Sequence, residues 1–474
     1  MKKLIKFAVL LVSININAQN NIPKIEPCEC QFRADSSLNT ICGNLIVPEN
    51  RRKKGSRMIK LPYIIAVSAN PNKKKDPLLF TTGGPGGSSI GSVTSIHYFS
   101  LIKDRDFIGF EQRGTKFAKP CLECPEVTSA IKQSYYLPKR NEKFINDAVL
   151  KCRKRLIDSG VDLTGYNTEE STDDLNDLIN ALKLDSVNLI GMSYSGGLMP
   201  NVLRKYPSKI RSLVLDSPLP LSVNIDEDEL VNFNEALHNT FEFLEKQSPQ
   251  NIGLENLWKS YLLGIEGKVF ETAIVDEKTK QKSKVFYNRN DIVGLVGSQI
   301  GNEEGRKGLP NLLSDLFNNR IDVHINSYLK NILENDSPFS AMRLSVYCSD
   351  KMAFADLKLA QQQYDIFPEM KGLWANDVTP QMCKCWNVPP INKDNKQPFY
   401  TNVPVLLSAG AFDAACRPVY NDILHHYFPK SQRLLFQNGA HCPLISLEGE
   451  KFITDFLNKP LNKLVSKDNS IMVY

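Results

Sequence analysis

Seven apolar runs of three to five residues, most of them ending in turn residues, constrain this chain more than any other feature. They are "YIIAV" (63–67), "LLF" (78–80), "FIGF" (107–110), "VNLI" (187–190), "SLVL" (212–215), "VPVLL" (403–407) and "RLLF" (433–436). Such runs are too short for helices and show no polar alternation, so they read as strands buried on both faces. Segments with helical spacing separate them. In "STDDLNDLINALKL" (171–184), Leu175, Leu178, Ile179 and Leu182 share one face, and Ser171 or Thr172 is placed to cap the start. The alternation predicts an α/β class: a mostly parallel sheet with helices on both faces. From 221 to 395 the texture changes to long amphipathic stretches such as "ELVNFNEALHNTFEFLEK". The expected organisation is a core whose first part spans 19–220, a helical cap insertion over 221–395, and a C-terminal core part over 396–474.

The 474 residues suit one large domain with an insertion, or two domains. Apolar content of 42% and charged content of 23% are ordinary for a folded soluble chain. The formal charge of +6 includes Lys2, Lys3 and Lys6, which lie in a segment expected to be removed. With no clustered basic helix, no nucleic-acid partner is expected. "MKKLIKFAVLLVSININAQN" has a lysine-rich start, an apolar run from Leu4 to Val12 and the small Ala18, the pattern of a signal peptide over 1–18. It predicts a secreted or periplasmic protein. No cysteine follows Ala18 and no later apolar run is long enough to span a bilayer, so no membrane anchor is expected.

Eleven cysteines in an exported chain point to disulfides. They fall into four groups: Cys28, Cys30 and Cys42; Cys121, Cys124 and Cys152; Cys348, Cys383 and Cys385; Cys416 and Cys442. The C-x-x-C at Cys121 and Cys124 lacks a second ligand pair, so no metal is expected.

The chemistry-bearing stretch is "GMSYSGG" (191–197), between the strand pattern "VNLIG" and the helical "LMPNVLRKYP". A strand–turn–helix with a central serine is the context in which a hydroxyl is presented as a nucleophile. Two serines compete. Around Ser193 the positions two before and two or three after hold Gly191, Ser195 and Gly196, all small. Around Ser195 they hold Ser193, Gly197 and the bulky Leu198. A sharp turn has no room for side chains there, so Ser193 is the expected nucleophile. A serine needs a histidine to take its proton and a carboxylate to orient that histidine. "PVLLSAGAFDAACRP" runs strand, turn, Asp413; "RLLFQNGAHCPL" runs strand, turn, His441. The order Ser193, Asp413, His441 is that of an α/β-hydrolase. His425 and His426 sit in a helical pattern, and His97, His238 and His324 follow no strand. "TTGGPGGSS" (81–89) follows a strand and supplies an oxyanion hole, with the Gly84 amide beside that of Tyr194. "EQRGT" (111–115) reads as support at the rim, with Glu111 and Arg113 as a possible pair. Because an Asp413–His441 contact would draw their loops together, a Cys416–Cys442 disulfide is the expectation, with two free thiols as its rival.

The segments "GGPGGSS", "EQRGT", "NLIGMSYSGGL", "GAFDAACRP" and "GAHC" resemble the proline iminopeptidase and tripeptidyl-aminopeptidase group of secreted α/β-hydrolases. "ICGNLIVPENR", "VYCSDKMAF" and "MCKCWNVPP" are similar to segments of the tripeptidyl-aminopeptidase branch, so the likeness touches the whole mature chain. The sequence departs from the group at Thr82, where a histidine is usual, at Glu111 in place of aspartate, and at Ser195 in place of glycine. The resemblance implies the α/β-hydrolase fold with a helical cap, a Ser193–Asp413–His441 triad, no cofactor, and a peptide substrate cut from its free N-terminus. Two alternatives stay open: a carboxylic-ester hydrolase with the same triad, and a non-catalytic binding protein on the same scaffold. Oligomeric state is left open.

Overall fold

Leu189 and Ile190 are neighbours on one strand, point to opposite faces, and are both buried. Each joins a different apolar core: Leu189 packs with Leu175, Leu178, Leu198 and Val202, and Ile190 with Phe80, Val214, Leu406 and Phe456. That two-sided burial is what an unalternating apolar run demands, because successive side chains leave a sheet on opposite faces. The computed structural model describes residues 23–30, 38–93, 101–140, 142–275, 280–373 and 376–474. The expected signal segment, residues 1–18, lies outside the described residues.

The sheet has ten strands: β1 (Lys24–Pro27), β2 (Thr40–Pro48), β3 (Met58–Ala66), β4 (Leu78–Thr81), β5 (Phe107–Phe110), β6 (Val187–Met192), β7 (Ile210–Asp216), β8 (Val405–Gly410), β9 (Ser431–Phe436) and β10 (Ile471–Val473). Their order is β1-β2-β3-β5-β4-β6-β7-β8-β9-β10. The six strands from β5 to β9 are mutually parallel. Antiparallel strands close both edges. All seven apolar runs fall on strands. The runs did not mark β1, β2 or β10, because these outer strands alternate polar and apolar residues or are very short.

Helix Thr168–Ala181 covers one face, with Leu175, Leu178 and Ile179 buried as its spacing predicts. Its cap is not Ser171 or Thr172. Asn167 takes that place, its side chain accepting from the Glu170 amide at 3.0 Å, and the helix starts three residues earlier than the pattern suggested. Helix Leu447–Asn458 covers the other face through Phe452, Ile453, Phe456 and Leu457.

Between β7 and β8 the chain forms a third apolar core of its own, with Trp258, Phe241, Leu313 and Leu329 inside helices Glu229–Gln247, Leu254–Gly264, Glu303–Phe317 and Asp322–Glu334. A hairpin of Val269–Val275 and Lys282–Asn288 interrupts the helices; the sequence reading had marked no strands there. Its half-buried alternation was masked by the helical texture around it. Helices Ala341–Asp350 and Pro380–Trp386 pack instead on the sheet's own core, through Met342, Leu344, Met382 and Trp386.

Three disulfides join Cys30–Cys42, Cys124–Cys152 and Cys348–Cys383, each within one of the sequence groups. Cys124, Glu126 and Cys152 bring three ligand-type groups together, but the two sulfurs are bonded to each other. Among the described residues no helix is long and apolar enough to cross a membrane.

Arg113 is fully buried and ties the sheet to helix Thr168–Ala181. Its Nε and Nη2 donate to the two Asp174 oxygens at 2.7 Å each, and Nη1 donates to the Glu49 carbonyl. Arg51 shares Asp174 from the other side. Glu111 does not pair with Arg113; it accepts from Ser88, Thr115 and the Ile90 and Phe117 amides. Removing one partner of a buried ion pair strands the other charge. Arg113→Ala is therefore expected to cost about 3–5 kcal/mol of stability, read as a fall in the urea midpoint. A loss within experimental error would mean that Asp174 is adequately served by Arg51 alone.

Candidate active site

Every sequence-predicted site residue lies at the carboxyl edge of the parallel strands or on the loops that leave it. Ser193 follows β6 directly and adopts φ +52°, a left-handed conformation that costs energy for any residue but glycine. Its amide donates to the Asp216 carbonyl at 3.0 Å and its carbonyl accepts from Gly196 and Leu219. A Cβ on Gly191 would lie 2.5 Å from the Ser195 carbonyl, and one on Gly196 would lie 2.4 Å from Pro218 Cα. The turn is possible because these neighbours are small, as the sequence argument required.

Ser195 has a different place. It is completely buried, donates to the Thr82 carbonyl at 2.5 Å and accepts from the Thr81 hydroxyl at 2.8 Å. Gln112 donates to the same carbonyl and to Ser195 Oγ. Ser195 is thus a tie between the serine turn and the glycine-rich loop, where a glycine would leave Thr82 with one donor fewer.

Asp413, 1% exposed, lies three residues beyond β8. Its Oδ1 accepts the Ala415 and Cys416 amides at 2.9 and 2.8 Å, which fix the carboxylate plane. Its Oδ2 lies 2.8 Å from His441 Nδ1. An ionised carboxylate only accepts, so Nδ1 carries the proton and Nε2 is left free to take one. Burial pulls the His441 pKa down, but the hydrogen bond and charge of Asp413, with a smaller contribution from Asp216, outweigh it and leave the imidazole above its ordinary value. Among the described histidines, His238 and His324 also meet carboxylates, Glu255 and Asp315, but in the inserted region and with partly exposed carboxylates, whereas Asp413 is buried. His425 contacts Ser431 from its helix, and His97 lies outside the described residues.

Gly83 lies so close to the serine that a Cβ there would be 2.5 Å from Ser193 Cβ. Among the described residues no group takes the Gly84 or Tyr194 amide, and both residues line one cavity with Ser193. That cavity, of about 400 Å3, is also lined by Phe233, Glu229, Arg343 and Tyr347 from the region between β7 and β8. The arrangement combines a strained serine, an oriented imidazole and two unengaged amides, which are the parts acyl transfer needs.

Two site residues, Asp216 and Arg343, were missed by sequence reasoning, and a third, Glu229, was legible only as one acid of a candidate run (226–229). Asp216, at the end of β7, is buried and accepts from Ser408 Oγ at 2.6 Å and from the Leu444 amide at 3.1 Å. Burial pushes its carboxyl up to about 7 against those hydrogen bonds. With Ser217, whose Oγ accepts the Cys442 amide, it anchors the His441 loop to the strand next to the serine. A signal was present: "SLVLD" puts an acid directly after a buried strand. Glu229, within the acidic run "DEDE", faces the cavity, and burial together with Asp226 and Asp377 lifts its carboxyl to about 8. Arg343 carried no local signal.

The expected Cys416–Cys442 bridge is absent; both thiols are free. Cys416 is buried with its sulfur within hydrogen-bond reach of the Ser193 hydroxyl, and burial raises its pKa. Cys442, at φ +61°, turns its sulfur toward the Asp216 carbonyl, 3.9 Å away. The two loops do converge, but their sulfurs point to different partners.

Comparison with known proteins follows this geometry. A family described as alpha/beta hydrolase fold matches residues 76–446. A tripeptidyl aminopeptidase of Streptomyces lividans is 25% identical over 249 residues, covering 50% of this chain and 42% of that protein. The chain thus spans less than half the length of that relative. The serine protease Hip1 of Mycobacterium tuberculosis is 21% identical over 409 residues, 79% of this chain and 76% of that protein. Among solved structures, a proline iminopeptidase of Mycobacterium smegmatis aligns with a TM-score of 0.38 at 13% identity, covering 88% of this chain and 98% of that one.

Two outcomes are expected from these contacts. Ser193→Ala abolishes labelling by a fluorophosphonate, whereas Ser195→Ala retains it at a reduced rate, since only a tie to Thr82 is lost; labelling that vanishes in Ser195→Ala alone reverses the assignment. Alkylation of the unreduced, denatured protein modifies Cys416 and Cys442 and spares the six bridged cysteines; a Cys416–Cys442 cross-linked peptide would contradict the geometry.

Proposed function

The chain belongs to the alpha/beta hydrolase fold family, and within it we propose an exported serine aminopeptidase that cuts residues or short peptides from free N-termini. Relatives named as a tripeptidyl aminopeptidase and a serine protease support a serine hydrolase acting on peptides. In this reading Ser193 attacks the scissile carbonyl while His441 Nε2 takes its proton. Asp413 stabilises the resulting imidazolium. The Gly84 and Tyr194 amides donate to the oxyanion. His441 then protonates the leaving amine, and water releases the acyl group by the same steps in reverse. The expected signal segment at 1–18 and the three disulfides support export to an oxidising compartment. Residues 221–395 act as the cap.

The observation that carries the aminopeptidase reading is Glu229 in the Ser193 cavity. Its neighbour Asp377 is already taken by the Arg343 guanidinium at 2.6–3.0 Å. Asp226 is turned to the Tyr347 hydroxyl at 2.5 Å. Glu229 has the Asn376 amide and the charge of Arg343 beside it, but burial, Asp226 and Asp377 outweigh them and raise its pKa to about 8. An ammonium entering the cavity removes the penalty, since a charge-assisted hydrogen bond in a half-buried site is stronger than a neutral one. An ammonium acceptor in the lining of the Ser193 cavity supports exopeptidase action, because it favours a chain terminus over a chain that threads past the serine.

The pH sign follows from proton counting. The productive complex holds one proton between Glu229 and the substrate amine, whose own pKa is about 7.7–8.0. With Glu229 near 8, kcat/KM for free-amine peptides is expected to peak near pH 8 and to fall on both sides. Raised as it is, His441 steepens the acid side. N-acetylated peptides are expected to lose at least about tenfold in kcat/KM, or about 1.4 kcal/mol of transition-state binding, and Glu229→Gln to penalise the free amine selectively. Equal cleavage of free and acetylated peptidyl anilides refutes the aminopeptidase reading and favours an ester hydrolase with the same triad. Failure of the protein to react with a fluorophosphonate would favour a binding protein.

A further inference from the structure

Gly84 lines the Ser193 cavity within a loop that is held at Thr82 and Ser88, on either side of it. The residue itself adopts φ +117°, a region that glycine enters freely and leaves freely. A donor that has to be in place before charge develops on an oxyanion cannot rest on such a hinge alone, because catalysis by fixed dipoles depends on their not reorganising. A direct hold on its carbonyl comes from another residue of the cavity lining. Arg343 Nη1 donates to the Gly84 carbonyl at 2.6 Å, while its Nε and Nη2 grip Asp377 and Asn376. The guanidinium is the planar fork that can serve three acceptors at once.

Arg343 stands on helix Ala341–Asp350, and the far end of the same helix is linked through Thr168 to the side chain of Tyr194, which carries the other amide. Asp350 accepts from the Thr168 amide and hydroxyl, and the Thr168 hydroxyl meets the Tyr194 phenol at 2.7 Å. The helix is itself fastened. Cys348 is bonded to Cys383, Trp386 Nε1 donates to Ser345 at 2.8 Å, and Lys351 donates to the Pro220 and Val223 carbonyls at 2.8 and 2.7 Å. One fastened element therefore holds the Gly84 carbonyl directly and the Tyr194 side chain through Thr168.

We propose that Arg343 is a positioning residue for acyl transfer: through the Gly84 carbonyl it sets the oxyanion donor against Ser193, with helix Ala341–Asp350 as the brace that registers Gly84 and Tyr194 to each other. The inference rests on the acyl-transfer reading of Ser193 but not on the aminopeptidase reading. A small ester has no ammonium for Glu229 and still develops an oxyanion, so it reads the brace alone. Loss of Arg343 lets the Gly84 unit turn, and the cost falls on the transition state rather than on ground-state binding.

The test compares wild type, Arg343→Ala and Arg343→Lys on p-nitrophenyl acetate and on a free-amine peptidyl anilide, with Ser193→Ala as the blank. Arg343→Ala is expected to lower kcat about tenfold to hundredfold on the ester, below the cost of deleting a donor outright, with KM nearly unchanged. Added guanidinium should restore part of that kcat. Arg343→Lys, with one ammonium for three acceptors, is expected to fall between and keeps the measurement available if the alanine variant does not fold. An unchanged ester kcat in both variants overturns the proposal. So does a loss confined to KM for the anilide, which would make Arg343 part of the terminus pocket instead. An anilide that is not cleaved by wild type while the ester arm responds as described would remove the aminopeptidase reading and leave this one standing.

Discussion

The left-handed turn at Ser193 is the constraint from which the rest of the site follows. A serine at φ +52° persists only where its surroundings leave it no alternative, and here they do so through backbone. Its amide is held by the Asp216 carbonyl and its carbonyl by Gly196 and Leu219. The chain after β7 passes so near the turn that Gly196 cannot carry a side chain. Because β7 lies beside β6 in a parallel sheet, both carboxyl ends fall on one edge, and Asp216 can grip the serine from one strand over. The same residue receives the Leu444 amide from the His441 loop. Two loops far apart in sequence thus share one anchor, and the distance between their functional groups becomes a property of the sheet.

Around that anchor the site is built by ties rather than by contacts of the reacting groups themselves. Ser195 and Gln112 hold the Thr82 carbonyl, Glu111 holds Ser88 and the Ile90 amide, and Arg113 holds the whole segment to helix Thr168–Ala181. The glycine loop is thereby fixed at both ends, and Arg343 adds a hold at the Gly84 carbonyl. The substitution of serine for glycine at 195 and of glutamate for aspartate at 111, departures when seen in sequence, each come with hydrogen bonds of their own.

Buried carboxylates of one chemical type are sorted by their partners. Asp413 has two amides and an imidazole. Asp216 has a hydroxyl and one amide, and burial prevails, raising it to about 7. Glu229 has like charges near it and rises to about 8. Pairing of this kind separates the carboxylate held to the imidazole from the one that anchors the His441 loop and the one raised beside like charges.

What the sequence determined by itself was whatever depends on local pattern. Apolar runs without alternation gave the buried strands, their succession gave the α/β class, and the small residues around Ser193 told one serine from the other. Asp413 and His441 were legible because each follows a strand, and a strand end in a parallel sheet is an edge position wherever the strand sits. Edge strands β1 and β10, the hairpin 269–275 with 282–288, and the Asn167 cap were not, since their patterns are short or half-buried. The tertiary structure alone decided the rest. It parted Glu111 from Arg113, left Cys416 and Cys442 unbridged although their loops converge, singled out Glu229 from an acidic run, and brought Arg343 to Gly84 across some 260 residues of chain. The reason is physical: propensity and periodicity are summed over neighbours in sequence, whereas the direction of a sulfur or a guanidinium, and the charge a carboxylate can bear, are set by neighbours in space.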